Sequence, residues 1–521
     1  MSSYLVAIDV GTTGLKVTIC NDEGKIISSA ASQDYPVLTP QPIWAETDPN
    51  LWWEAAKNTV KTAVEKSGIN KEDIAAVVSD SQTDGCTAVD KNGEPLYNSI
   101  LYLDRRSDYQ ARQLREIFGN NGKELHDITG LTIDSYHILP KILWLKKEKP
   151  EIYKQTHKIL NPNDFILLKL TGRFITEYTL ASCTLVWNVH KRAWSEKIVS
   201  ETGIDFDILP EAVPSTEVVG ELSSKIAQDM GLKSGTPVVA GGGDEEVAVV
   251  GAGALQSGEV CDITGGAEPI LISIDESVID PDEVLEMHNH GDPKRWILES
   301  PGMAVGANLR WFRDQFSHEE IKEAERLSEP GKEIDPYWIM DEKAAAVPPG
   351  SEGLIFLPWT TGSITPEWSS SARGTFLGFT LGHTRAHFAR AIMEGSTYYA
   401  RDVIERFEEL GFPVTKIIAT GGGSRSTLWR KIKADTLGKP IVSPVSEDVS
   451  TIGAIVLAAV GVKLYKSVED AVQKFVKLKE EVLQPDEKNL KTYTKLYKTY
   501  KKTYWALNDI FKEISQFQMG K

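Results

Sequence analysis

The segment Tyr4-Leu-Val-Ala-Ile-Asp9-Val-Gly11-Thr12-Thr13-Gly14-Leu-Lys16-Val-Thr-Ile-Cys20 decides how the chain is read. An apolar run delivers an aspartate, a Gly-Thr-Thr-Gly turn follows, and a second apolar run leads away. The pattern predicts a β-hairpin over 4–10 and 15–20, with a further strand at 25–30 after the turn Asn21–Lys25. Glycines let backbone N–H groups approach oxygens closely, and hydroxyls and an ammonium add donors, so this tip suits a polyphosphate. Asp9 is placed to hold a hydrated Mg²⁺ beside the same phosphates. An ordinary hairpin turn has the same composition; the aspartate ending the first strand is what points to phosphate. No Gly-x-x-x-x-Gly-Lys-Ser/Thr occurs, which disfavours P-loop chemistry.

Composition narrows the function classes. The 521 residues suffice for two or three domains. A formal charge of −17 argues against a nucleic-acid surface, which would carry a basic stripe. An anionic nucleotide then needs a local, preorganised pocket. The first apolar stretch is short and broken by Asp9, so no signal peptide is expected, and no apolar run is long enough to span a bilayer. Cys20, Cys86, Cys183 and Cys261 are scattered without metal-type spacing, as expected for buried free thiols in a cytoplasmic protein.

Strand-like and helix-like segments alternate, which predicts an α/β fold. Asp48-Pro49 reads as the N-cap and first residue of a helix over 49–67. Ile74–Ser79 reads as a strand ending at Ser81-Gln82-Thr83-Asp84-Gly85. Thr236–Ala240 is a strand entering the turn Gly241-Gly242-Gly243-Asp244-Glu245-Glu246, before an apolar helix over 247–255. Strand 260–263, Thr264-Gly265-Gly266 and strand 270–274 repeat the strand-turn-strand pattern of the N-terminus. Lys416–Thr420 runs into Gly421-Gly422-Gly423-Ser424 and a helix with Leu428, Trp429 and Ile432. The repetition suggests two related domains, 1–253 and 254–521, with Gly251, Gly253 and Gly258 as a hinge. Leu490, Tyr493, Tyr497, Tyr500, Tyr504, Leu507 and Phe511 recur at helical spacing and predict a terminal helix docking its aromatic face.

Asp244 is the leading catalytic candidate, behind three glycines and ahead of a helix. The helix N-terminus should favour its ionised form, able to accept a hydroxyl proton during attack on a phosphate. Helix capping is the plainer role, compatible with the first. Gln82, Asp84, Asp104 and Arg106 supply the amide, carboxylate and guanidinium groups that bind neutral polyols, although turn formation and ion pairing explain them equally well. The glycines 421–423 with Ser424 precede a helix N-terminus that favours anions.

In this order, the residues resemble the FGGY family of carbohydrate kinases, within the actin/Hsp70/hexokinase-like ATPase superfamily. The resemblance is carried by Asp9–Lys16, Trp44-Ala-Glu46-Thr-Asp48-Pro49, Asp104-Arg105-Arg106, Gly241–Asp244 and Gly421–Ser426, over nearly the whole chain. It implies two ribonuclease-H-like domains with mixed sheets flanked by helices, facing across a central cleft, and ATP-dependent phosphorylation of a sugar or polyol hydroxyl. By the same resemblance Gly11, Thr12, Thr13 and Lys16 hold phosphates, Asp9 positions Mg²⁺ through water, and Asp244 is the general base. Thr264, Gly265, Gly266, Gly421, Gly422, Gly423 and Ser424 line the nucleotide. Gln82, Thr83, Asp84, Asp104, Arg106 and Asp244 meet the sugar.

Two departures bear on substrate. Xylulose kinases, which the chain resembles in length and in its Trp-Ala-Glu segment, usually read Gln-Met-His-Gly where this chain reads Gln82-Thr83-Asp84-Gly85. The family's Gly-Glu-Arg-Thr-Pro appears as Gly362-Ser363-Ile364-Thr365-Pro366. A carboxylate at 84 repels an acid, so a neutral ketose such as xylulose, or a polyol, is expected over an aldonate. Glycerol, erythritol, ribulose, gluconate and autoinducer-2-like sugars are the alternative substrates. A nucleotide-binding regulator without turnover and an Hsp70-type machine are the rival classes; the base at 244 and the sugar-type polar cluster favour a kinase. The sequence leaves a homodimer open.

Overall fold

A computed structural model describes residues 3–518. The chain forms two compact α/β units, and they are not the consecutive halves 1–253 and 254–521. The first unit runs to Leu255 and takes back Ser273–Leu298 and Asp448–Lys477; the second comprises Gln256–Ile272, Glu299–Glu447 and the chain from Leu478 onward.

The first unit is built on a mixed sheet of β1 (Tyr4–Val10), β2 (Leu15–Asn21), β3 (Ile26–Ala31), β4 (Ile74–Ser81), β5 (Val218–Glu221) and β6 (Pro237–Gly243), ordered β5-β6-β4-β1-β2-β3. β1 and β2 pair antiparallel from Tyr4↔Asn21 to Val10↔Leu15, the expected hairpin. β4 pairs parallel with both β1 and β6. Helix α1 (Pro49–Ser67) starts where expected: Asp48 accepts from the Asn50 N–H, and Pro49 occupies the first turn. It buries Trp52, Ala56, Val60 and Ala63 against the core that includes Val6, Ile8, Val17 and Ile19.

Two expectations change. β6 does not stop at Ala240 but continues through the three glycines to Gly243, and helix α2 (Asp244–Ala252) begins at once. A register irregularity between Val239 and Gly242 makes this possible. Gly241 there has φ +72°, and a Cβ on it would lie 1.7 Å from the Ser79 carbonyl oxygen, so only glycine fits. Gly251 is a packing device within the first unit, and the chain first passes to the second unit between Leu255 and Gln256, inside the glycine-rich stretch read as the boundary. A Cβ on Gly251 would meet the Val449 oxygen at 1.7 Å, and one on Gly453 the Val247 oxygen at 1.9 Å. These two residues let α2 cross a second helix, Val449–Gly461, backbone to backbone within the first unit. Gly253 ends α2 in the left-handed conformation.

In the second unit, β7 (Glu259–Ile263) pairs antiparallel with β8 (Ile270–Ile274) and parallel with β9 (Lys416–Thr420), whose other neighbour is β10 (Ile441–Val442). Ser426 caps the helix Thr427–Leu437 by accepting from the Trp429 N–H. The terminal helix Glu487–Gln518 buries Tyr493, Tyr497, Tyr500, Tyr504 and Phe511. Tyr500, Tyr504 and Phe511 pack on Trp359, as the aromatic spacing predicted. All four cysteines are buried, and none is in a disulfide. Among the described residues, no helix is long and apolar enough to cross a membrane.

Candidate active site

The register of the first sheet gathers carboxylates at one edge. Asp9 on β1 is the partner of Asp80 on β4, which is in turn the partner of Gly242, two residues before Asp244. Strand ends of parallel neighbours are where α/β folds present ligand groups. The hairpin tip lies beside them, closed by the Gly11 N–H donating to the Gly14 carbonyl at 3.0 Å. Tyr35 fixes it from behind: its hydroxyl lies 2.6 Å from the Gly11 oxygen and 2.9 Å from the Gly14 oxygen. Thr13 points to solvent, and Thr12 donates to Gln82 Oε1 at 3.2 Å. Lys16 forms an ion pair with Asp448.

Burial raises the Asp9 carboxyl to about 6; the Lys16 ammonium opposes that rise and the Asp448 charge adds to it. Asp80 is completely buried, and neither carboxylate oxygen has a hydrogen-bond partner among the described residues. Burial, then the charges of Asp9, Asp244 and Asp448, push it well above the usual range. Asp244 behaves likewise. Against the expected pull of the helix N-terminus, burial first, then Glu245, Asp9 and Glu246, push its carboxyl up. One N–H bond from Glu245 at 2.9 Å does not offset three neighbouring carboxylates. Tyr102, close to Thr12 and to Asp244, and Asp80 itself were not singled out from sequence. An aspartate one residue before the end of a β-branched strand was the available signal for Asp80.

The expected sugar residues divide. Gln82 belongs to the hairpin tip, reaching the Gly11 oxygen as well as Thr12. Thr83 lies against Gly243. Asp84, at φ +58°, faces His137 Nδ1 at 3.4 Å, and its carbonyl accepts from Lys141 Nζ at 2.6 Å. Burial alone would lower His137, but Asp84 and Glu286 outweigh it and raise the imidazole to about 10. Asp84 is therefore half of a buried ion pair and not a bare carboxylate.

Asp104 and Arg106 are tied into the scaffold. Asp104 is fully buried; Oδ1 accepts from the Arg106 N–H and Nε, and Oδ2 from the Ala45 N–H and Arg106 Nη2. Arg106 also pairs with Glu46 at 2.7 Å and lies 3.7 Å from the Trp44 ring centroid and 4.9 Å from that of Trp144. The Trp44-Ala45-Glu46 and Asp104–Arg106 motifs are thus one construction, with every strong donor and acceptor used internally.

In the second unit the two expected glycine turns stack on each other. The Gly423 N–H donates to the Thr264 carbonyl at 2.9 Å. A Cβ on Gly423 would lie 2.4 Å from Thr264 Cγ2, and one on Gly421 2.7 Å from the Thr264 oxygen. Gly266 and Gly422 are open, and Ser424 Oγ donates to the Gly421 carbonyl at 2.7 Å. The Thr264 hydroxyl is not available to a ligand: it donates to Asp262 at 3.0 Å and accepts from Lys433 Nζ at 2.6 Å. Lys433 also pairs with Asp262 and Glu268, all of them buried. Sequence reasoning missed this network because its members are 165 or more residues from Lys433.

Residues 4–251 match the N-terminal domain of the FGGY family of carbohydrate kinases, and residues 271–462 match its C-terminal domain. The chain is 30% identical over 515 residues to the xylulose kinase of Bacillus subtilis, covering 99% of each. It is 33% identical over 458 residues to a gluconokinase of the same organism, covering 88% of this chain and 87% of the relative. A ligand-bound xylulose kinase structure from Lactobacillus acidophilus superimposes with a TM-score of 0.89 at 25% identity, covering 98% of this chain and 100% of that one. With both domains of the family matched in order along the chain, this chain belongs to the FGGY family of carbohydrate kinases.

Proposed function

We propose that this kinase phosphorylates a hydroxyl of a neutral ketose or polyol, a ketopentose such as xylulose first among them, with ATP as donor. The observation that carries it is the alignment of Asp9, Asp80 and the Asp244 turn on adjacent strands beside the Gly11–Lys16 tip. The N–H groups of the tip, the Thr12 hydroxyl and Lys16 hold the phosphates. In the second unit the open glycines of the two turns, Gly266 and Gly422, serve the nucleotide, with Gly265, Gly421, Gly423 and Ser424 shaping the turns that present them. Asp244 accepts the hydroxyl proton; its raised affinity for protons makes it a strong base once ionised. A Mg²⁺ ion fits the donors here, since Asp80 is a buried carboxylate with two bare oxygens and Asp9 and Asp448 add hard oxygen ligands. Bound there, Mg²⁺ neutralises charge on the phosphate oxygens.

A neutral substrate is supported by the charge around the base: Glu245, Asp9 and Glu246 all act on Asp244. A second anion beside them would be repelled. The buried thiols, none in a disulfide, fit a cytoplasmic enzyme. The test is ADP release from ATP and Mg²⁺ with xylulose, ribulose, erythritol, glycerol and gluconate at equal concentrations. Xylulose or another neutral compound should give the highest kcat/KM. Preference for gluconate overturns the neutral assignment, and absence of turnover with every compound overturns the kinase reading.

A further inference from the structure

Behind the catalytic turn, still within the first unit, three buried side chains of different chemistry converge. Cys183 follows the short helix Tyr178–Ser182, Glu246 lies in the first turn of α2, and His288 lies on the strand Glu286–Asn289. Cys183 Sγ is 3.3 Å from Glu246 Oε1 and 3.6 Å from His288 Nδ1, and those two atoms are 3.8 Å apart. A point equidistant from all three lies about 2.1 Å from each, the bond length of zinc to nitrogen and oxygen and slightly short of that to sulfur. The three residues are between 2% and 4% exposed.

Two further observations point to a cation. Glu246 Oε2 is buried with no hydrogen-bond partner among the described residues, an arrangement that is costly for a carboxylate unless a positive charge is close. Without a metal that charge falls to His288: burial alone would lower its imidazole, but Glu286 and Glu246 raise it. His288 also presents its other nitrogen, Nε2, to Glu286 Oε2 at 3.8 Å. A carboxylate behind the far nitrogen of an imidazole is the usual support of a metal-bound histidine. Glu286 is itself held by the Tyr136 hydroxyl at 2.8 Å and the Thr132 N–H at 3.0 Å, which fixes its direction.

We propose that Cys183, Glu246 and His288 form a site for a divalent transition metal of the zinc class, distinct from the Mg²⁺ of the kinase reaction. A thiolate, an imidazole and a carboxylate match such an ion and are the wrong set for Mg²⁺. Three protein ligands leave the fourth tetrahedral position for water. Binding expels the Cys183 thiol proton, and the second imidazole proton where His288 carries one, to solvent as the sulfur–metal and nitrogen–metal bonds form. Because Glu246 is two residues beyond Asp244, the ion anchors the turn that carries the base.

The test is titration of the full-length wild-type protein with Co²⁺, after incubation with a chelator and its removal. The expected result is one ion per chain and a thiolate-to-cobalt charge-transfer band, with Zn²⁺ displacing the cobalt. Cys183→Ser should abolish the band although Cys20, Cys86 and Cys261 remain. Glu286→Gln should lower affinity about 10- to 100-fold, as loss of outer support does elsewhere. Failure of the wild type to bind Co²⁺ or Zn²⁺ overturns the proposal, as does binding without the thiolate band. If Cys183→Ser is not folded by circular dichroism, His288→Gln takes its place, and a band of unchanged affinity in either folded variant equally rejects the site.

Discussion

Lys16 and Asp448, 432 residues apart in sequence, form an ion pair beside the hairpin tip. Lys16 leaves the tip on β2, and Asp448 immediately precedes the helix Val449–Gly461, a late segment that the first unit takes back. The ammonium is held by that pair, and it tempers the burial that raises Asp9. Replacing Lys16 with Met removes the charged donor proposed for phosphate, an interaction of about 1.5–3 kcal/mol. The variant should lose roughly 10- to 100-fold in kcat/KM for ATP with sugar KM little changed. Steady-state kinetics in both substrates reads the split, and a fall confined to the sugar KM would displace Lys16 from the phosphates.

Asp244→Asn keeps the shape of the turn and removes the proposed proton acceptor. Because general base catalysis is worth about 10²–10⁴-fold, kcat should fall by that factor while nucleotide affinity, measured by calorimetry, is retained. Near-normal turnover in the variant would remove Asp244 as the base.

The crossing of α2 with the helix Val449–Gly461 rests on two absent side chains. In Gly453→Ala the new Cβ would lie 1.9 Å from the Val247 carbonyl oxygen, and backbone cannot yield as a flexible side chain does. Overpacking costs about 1–3 kcal/mol, and the melting temperature should drop by several degrees. Gly382→Ala, whose Cβ would meet nothing nearer than 3.7 Å, is the control and should melt with the wild type. Equal melting of all three proteins would refute the close crossing.

Asp402 supplies a pH test in the second unit. Its Oδ1 accepts from the Tyr497 hydroxyl, its Oδ2 is buried without a partner among the described residues, and burial raises the carboxyl from 3.8 to about 7. Between those values the unfolded chain has lost the proton and the folded chain keeps it. Its contribution to stability is therefore full below pH 4 and is lost as pH rises through 7, at up to about 1.4 kcal/mol per pH unit. The melting-temperature difference between wild type and Asp402→Asn should move against the wild type from pH 5.5 to 8. A constant difference would show that Asp402 titrates normally.

Much of the site was legible because it is written in local patterns. Asp9 to Lys16, the three glycines before Asp244 and the paired glycine turns each combine a strand, a tight turn and a polar tip within a dozen residues. What was not legible shares a physical origin. Asp104 and Arg106 look like exposed sugar ligands in sequence, yet Trp44, Glu46 and Trp144 enclose them. Thr264 looks like a phosphate hydroxyl, yet Lys433 has taken it. Gly251 looks like a hinge until Val449 is brought against it.

By itself the sequence determined the α/β class, the hairpin, the order of the turns and the family, because strand period, turn chemistry and helix caps act over a few residues. The tertiary structure alone decided which charges meet. Asp80 became a buried carboxylate among Asp9, Asp244 and Asp448, His137 met Asp84, and Cys183, Glu246 and His288 converged. Those outcomes depend on register between strands distant in the chain and on desolvation, and a linear pattern carries neither.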